Sequence, residues 1–172
     1  MVRPLPCTGI MKLVIVSLLC AASIAHAEPT SYLQSGVTVG GDHDLYGAVT
    51  LSAGYHLAGT LWAHGLLADG STTGVDEVTY TSAYTAARAG VETRNCTAGG
   101  AVCGIAGIDL GIRRESLMAE YDHNSFTNAM VVGRLAGDLG STHVRFRPGL
   151  ELSVDDTGRK GLGLGVDLAY LF

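Results

Sequence analysis

Apolar residues fall at alternate positions along most of this chain, and that period excludes most folds before any motif is read. In LYGAVTLSAGYH, Leu45, Val49, Leu51, Ala53 and Tyr55 share one face, while Tyr46, Thr50, Ser52 and His56 share the other. In HVRFRPGLELSV, Val144, Phe146, Leu150, Leu152 and Val154 face one way, and His143, Arg145, Arg147, Glu151 and Ser153 face the other. A period of two belongs to a strand with two unlike faces. Eight such segments can be marked, at 31–41, 45–56, 59–69, 78–94, 103–114, 127–138, 142–154 and 160–172. Turn-forming material separates them: DHD, HLAG, DGSTTGVD, NCTAGGAV, the stretch 115–126, GDLGST and DDTGRK. Repeated strands at this spacing predict an all-β sandwich or barrel, built as one domain over residues 28–172.

The residues before that domain read as a leader. MKLVIVSLLCAASIAHA has a basic start at Lys12, an apolar run from Leu13 to Leu19, and small residues at Ala25 and Ala27. These are the three parts of a secretory signal peptide, which predicts that residues 1–27 are removed before Glu28, with Met11 as the true start. The apolar run is too short for a membrane-spanning helix. A lipid anchor on Cys20 is disfavoured by the bulky Leu19 before it. Removing the leader removes Arg3 and Lys12 and no acidic residue, so a chain of net charge −5 becomes more acidic still. An acidic exported protein lacks the positive field that nucleic acid requires. No later segment is apolar enough for a helical span, yet hydrophobic residues make up 47% of the chain and charged ones 16%. So much apolar surface must be hidden in a core or in lipid.

Two cysteines, Cys96 and Cys103, remain after the leader. Their spacing in RNCTAGGAVC suits a disulfide that closes a small loop in an oxidising compartment, whereas a structural zinc site wants four ligands.

Alternation does not say which face is buried: a soluble barrel is apolar inside, and an outer-membrane barrel is apolar outside. Three features favour the second. The polar face carries Arg88, Arg94, Arg113, Arg134, Arg145 and Arg147 against Glu92, Asp109, Asp138, Glu151 and Asp167. Such balance in mid-strand predicts an ion network paired within a narrow lumen, where the interspersed glycines of GIDLG, GRLAGD and GLGLGVD leave room for long arginines. After the leader there is one lysine, Lys160, where a water-facing surface would use lysine freely. Aromatic residues gather near strand ends: with both termini placed in the periplasm, Trp62, Tyr55, Tyr170 and Phe172 fall near the periplasmic interface and Tyr80 and Tyr84 near the opposite rim, as girdles. The third feature is the terminus itself. Leu162, Leu164, Val166, Leu168, Tyr170 and Phe172 alternate without a break to the last residue.

This ending resembles the terminal strand of the small eight-stranded bacterial outer-membrane β-barrels, similar to the OmpA transmembrane domain. The resemblance implies an eight-stranded antiparallel up-and-down transmembrane β-barrel with a polar, plugged interior. It also implies that Leu168, Tyr170 and Phe172 form a signal read by the barrel assembly machinery during biogenesis. The remaining partner is outer-membrane lipid, and the location is the bacterial outer membrane.

Eight strands are too few for a wide pore. The function expected is therefore non-catalytic, a structural or surface-interaction role carried by the loops at 70–77 and 115–126, with no cofactor and no metal. The latter loop places Glu120, Tyr121, Asp122 and His123 together, which reads as a solvated polar loop. Two alternatives stand beside this. Small barrels of this kind include lipid A deacylases and palmitoyltransferases, and STHVR offers a Ser141 and His143 pair on one strand face. That pair sits at a periplasmic turn, the wrong rim for surface lipid, and Arg145 follows where the deacylase pattern is His-x-Ser. A secreted lipocalin-type barrel would need an apolar cup, and would turn the ion-rich face to water.

Overall fold

A computed structural model describes residues 29–41, 44–75, 79–117 and 125–172. The predicted signal peptide, with Met11 and Cys20, lies outside the described residues, as do Glu120, Tyr121, Asp122 and His123 and the side chain of Tyr80.

Eight strands follow in order: β1 (Ser31–Gly41), β2 (Asp44–Ala58), β3 (Leu61–Val75), β4 (Thr79–Cys96), β5 (Val102–Leu117), β6 (Ser125–Gly140), β7 (Val144–Asp155) and β8 (Lys160–Leu171). Each pairs antiparallel with its sequence neighbour, and β8 returns to β1, so the sheet closes as an up-and-down barrel. Closure leaves no free sheet edge around the barrel wall.

The strands are strongly tilted, which the register makes visible. Val37 of β1 pairs with Val49, Val49 with Asp69, Asp69 with Thr85, Thr85 with Arg114, and Arg114 with Thr127 near the start of β6. In the other direction Val37 pairs with Val166 and Val166 with Pro148, in the middle of β7. That stagger is the shear a closed sheet needs. Pro148 also interrupts the β6–β7 ladder, which skips from Ala136↔Gly149 to Leu139↔Phe146, because proline has no N–H to donate. At the end that holds the termini, the turns are tight: Gly59 (φ 56°) joins β2 to β3, and Gly99 (φ 95°) and Gly100 (φ 70°) join β4 to β5. These left-handed backbones favour glycine.

Alternation settles into two faces. Outside lie Val37, Val39, Leu67, Ile108, Leu110, Leu135, Leu152 and Leu164, all more than half exposed. Inside lie Gln34, Thr50, His64, Arg88, Asp109 and Asp138, all buried. Inward glycines make the room. A Cβ on Gly111 would sit 2.7 Å from Cγ of Arg88, its register partner, and a Cβ on Gly36 would strike the Asp167 carboxylate opposite it.

Several boundaries differ from the sequence expectation. The stretch DGSTTGV is strand, not loop: β3 runs through it to Val75, so the expected loop at 70–77 is strand as far as Val75. Thr72 and Thr73 pair there with Ser82 and Thr81, and these cross-strand partners outweigh the local Gly and Asp turn signals. Likewise β5 extends to Leu117 and β6 begins at Ser125, which shortens the 115–126 loop. Two girdle assignments fail. Trp62 and Tyr84 point inward and are buried, because on β3 and β4 the even-numbered residues face the lumen. Tyr55 does face outward, 59% exposed. His143 is not on the polar face of β7; it lies in the turn before that strand begins.

Candidate functional site

Among the described residues, chemistry-bearing side chains converge in the interior, in three layers stacked along the barrel. Nearest the termini, Asp138 is fully buried among three arginines: Nη2 of Arg147 at 3.2 Å, Nε of Arg94 at 3.5 Å and Nε of Arg145 at 3.7 Å. Burying a carboxylate is costly unless it is paired, and here the pairing is threefold. The arginines are held in turn by aromatic faces. The Arg94 guanidinium lies 4.3 Å from the Trp62 ring centroid, and that of Arg147 lies 4.4 Å from the Tyr32 centroid. Such contacts are worth more when desolvated. Here Trp62 acts as an interior wall for a cation.

The middle layer joins strands that are mostly not wall neighbours. Arg134 on β6 donates to Glu92 on β4. His64 on β3 has Nε2 at 2.7 Å from Oδ1 of Asp109 on β5, and Arg134 Nη2 lies 3.2 Å from the same ring nitrogen. Arg147 donates to Oε1 of Gln34 at 2.6 Å, and Gln34 donates to Asp167 at 2.9 Å. Thr50 donates to the other oxygen of Asp167, also at 2.9 Å. Gln34 thus links an arginine on β7 to an acid on β8.

In the layer far from the termini, Arg88 grips Glu151 with both terminal nitrogens, at 2.9 and 3.1 Å. This is the bidentate geometry that makes arginine–carboxylate pairs strong. Tyr46 and Tyr84 stack above it, ring centroids 5.3 Å apart. Arg113 lies 2.9 Å from Asp155 and 3.2 Å from Glu115.

Asp155 also organises the β7–β8 turn, just past Val154, the last outward apolar residue of its strand. Its Oδ1 accepts from the Thr157 hydroxyl at 2.6 Å and from the backbone N–H groups of Thr157 and Arg159, each at 3.0 Å. Burial alone would raise its pKa. The Thr157 hydroxyl, the two amides and Arg113 outweigh that, and hold the carboxyl below its ordinary range.

Arg88, Glu92, Arg94, Asp109, Arg113, Arg134, Asp138, Arg145, Arg147, Glu151 and Asp167 all therefore project inward. His64, Gln34 and Asp155 join them without having been singled out in the sequence. His64 is obscured by its neighbours: the inward residues around it on β3 are Trp62, Leu66 and Ala68, all apolar. Asp155 was read as turn material.

The other candidates lie elsewhere. A disulfide joins Cys96 and Cys103, register partners at the ends of β4 and β5. Ser141 and His143 share no strand face, since both lie in the β6–β7 turn. Ser141 Oγ accepts from the Val144 amide at 3.1 Å, and Nδ1 of His143 is 3.0 Å from the Leu171 carbonyl. Leu168 and Tyr170 face outward, and Phe172 follows β8, its carbonyl accepting from the N–H groups of Thr30 and Ser31 at 3.0 Å. Among the described residues no group of three or more His, Cys, Asp or Glu is placed to hold a metal ion.

No protein-family model and no curated protein sequence matches the chain. Solved structures do. The fold is similar to Neisserial surface protein A (TM-score 0.65, 13% identity, 83% of this chain and 97% of the other). It is similar also to Ail, the attachment invasion locus protein of Yersinia pestis (0.63, 12% identity, 85% and 100%). A third is the N-terminal β-barrel domain of Pseudomonas aeruginosa OprF (0.53, 12% identity, 83% and 98%). The chain has the fold of the small eight-stranded outer-membrane barrels.

Proposed function

We propose that this chain is a non-catalytic outer-membrane β-barrel that works as a structural or surface-interaction protein, with a lumen plugged by its own side chains. The observation that carries this reading is the inversion of the two faces. Large apolar residues such as Leu110 (65% exposed) and Leu135 (59%) cover the outside, while Asp109 and Asp138 are fully buried within. In water that outer face would be one continuous apolar patch; in a bilayer it is the surface the solvent requires. Both termini then lie in the periplasm, residues 1–27 act as the signal peptide, and the far-end turns face outward from the cell. Leu168, Tyr170 and Phe172 serve as the signal for the assembly machinery, and outer-membrane lipid is the standing partner.

The alternatives find less support. Ser141 is engaged with the Val144 amide and His143 with the Leu171 carbonyl at the end of β8, and neither is paired with the other. A lipocalin-type cup would be lined with apolar side chains, and this interior is lined with ions. Cell fractionation is the direct test. The folded protein is expected in detergent-extracted outer membrane, with a band that shifts on boiling; recovery from the soluble periplasm or the medium would overturn the reading. Mass spectrometry of lipid A from cells with and without the protein should show unchanged acylation, and a changed acyl pattern would reinstate an enzyme.

A further inference from the structure

The outer wall is not uniform. On β7 and β8 it is built from bulky residues, among them Leu152, Leu164 and Leu168, each more than half exposed. On β4 the outward residues are Ala83, Thr85, Ala87, Ala89, Val91 and Thr93, none larger than valine. Two charges flank that strand on the same outer face. Asp69 projects from β3 and Arg114 from β5, both exposed, and both are paired through one register row, Asp69↔Thr85↔Arg114. Asp69 makes no ion pair among the described residues, and Arg114 reaches only Ser125 Oγ, at 3.5 Å. Asp69 follows Leu67 (60% exposed) and Arg114 follows Ile112 (55%), so each charge borders the apolar belt. At the border of the belt a lipid-facing charge costs less than at the midplane, and an opposite charge on an apposed wall would offset what remains.

We propose that the β4 wall is the contact face of a two-fold symmetric homodimer in the membrane, closed by two Asp69–Arg114 ion pairs between copies. Charge complementarity selects a second copy as the occupant. A two-fold axis along the membrane normal, passing β4, sets β3 of one copy against β5 of the other. Asp69 then meets Arg114 of its partner, and the same pair recurs on the other side, as an isologous interface demands. The long arginine side chain covers the vertical offset that the strand tilt introduces. Small outward residues on β4 let the two walls approach, as small residues do between membrane helices.

The proposal rests on the reading of the chain as a membrane barrel, and the test separates the two. Single cysteines are placed in the full-length protein at Ala87→Cys, beside the axis, and at Leu164→Cys on another wall. Oxidative crosslinking is then read in isolated outer membranes, with the boiling-dependent band shift as the check of folding. Ala87→Cys is expected to give a band of twice the chain's mass and Leu164→Cys to give none. Mass measurement in nanodiscs reads charge variants alongside. Asp69→Arg and Arg114→Asp alone should each abolish the dimer by placing like charges together, and the double variant should restore it. A folded, membrane-embedded protein that stays monomeric, or a double variant that fails to recover, overturns the dimer and leaves the barrel reading standing. Recovery only when lipopolysaccharide is added would mean that Arg114 meets lipid phosphate, and would overturn it equally. Absence of the protein from the membrane fraction would instead refute the barrel reading.

Discussion

At the scale of single residues, the buried ions of the interior lie beside groups of opposite charge. Arg134 shows the consequence. It pairs with Glu92, a side chain 1% exposed that has little recourse to water. Arg134→Ala is expected to leave that carboxylate buried with Arg94 as its remaining cation, at 3.5 Å. Breaking a buried pair in this way costs about 3–5 kcal/mol. Urea titration of the detergent-folded protein, followed by the boiling-dependent band shift, should show that loss. An unchanged midpoint would mean that the interior is wetter than its geometry indicates. Asp155 makes a different prediction, in pH. Its folded pKa is depressed, so its contribution is complete above the ordinary carboxylate pKa and is lost as pH falls through the lower folded value. Acid below the ordinary carboxylate range should therefore loosen the β7–β8 turn. Hydrogen exchange at the Arg159 amide, which donates to Asp155, should lose protection in that acid range in the wild-type protein. In Asp155→Ala protection should already be reduced at neutral pH, by about 1.5 kcal/mol of local opening free energy, as for a hydrogen bond to a charged group.

At the scale of elements, the strands form for reasons that differ along the barrel, and this decides how much of them can be read in advance. On β7 and most of β8 the two faces are unlike, Leu against Arg or Glu and Leu against Gly. There the parity of the sequence already orders Arg145, Arg147, Glu151 and Asp167 inward. On β3 the inward face is Trp62, His64, Leu66 and Ala68 and the outward face includes Gly65 and Asp69, so alternation carries little contrast. Strand length and side-chain direction there come from the pairing with β2 and β4, which is long-range and invisible to a local pattern. That is why Trp62 read as a girdle residue, His64 went unnoticed, and DGSTTGV read as a loop. The disulfide tests an element boundary. Cys96 and Cys103 close a short turn between β4 and β5, with a sequence separation of 7. Replacing both by serine should lower stability by about 2 kcal/mol, near the lower end for such bridges, while the remaining ladder keeps the barrel closed. A double variant that no longer shows the folded band would assign the turn a role in assembly that the register alone does not give it.

At the scale of the whole molecule, the interior contacts bridge strands that are not neighbours in the wall. Arg88 on β4 reaches Glu151 on β7, Arg134 on β6 reaches Glu92 on β4, and Arg147 on β7 reaches Gln34 on β1. The Arg88–Glu151 contact lies in one layer and the Arg134–Glu92 and Arg147–Gln34 contacts in another, so side chains bridge the interior at two levels. Two small spaces between them, each of about 20 Å³, are lined one by Gln34, Glu92, Arg147 and Asp167 and the other by Tyr46, Arg113 and Asp155. A space of that size, with polar walls, suits roughly one water molecule. The whole-barrel consequence is a prediction about flux. Liposomes carrying the protein should not swell in iso-osmotic monosaccharide, because passage of a sugar would require several cross-lumen pairs to part together. Rupture of one pair alone, as in Glu151→Ala, should leave sugar excluded, since the Arg134–Glu92 and Arg147–Gln34 contacts remain in the middle layer. Swelling by the wild-type protein at a rate that scales with the amount reconstituted would contradict the plugged lumen. Swelling that appears only in Glu151→Ala would show that a single layer, the one gripped by Arg88, does the closing.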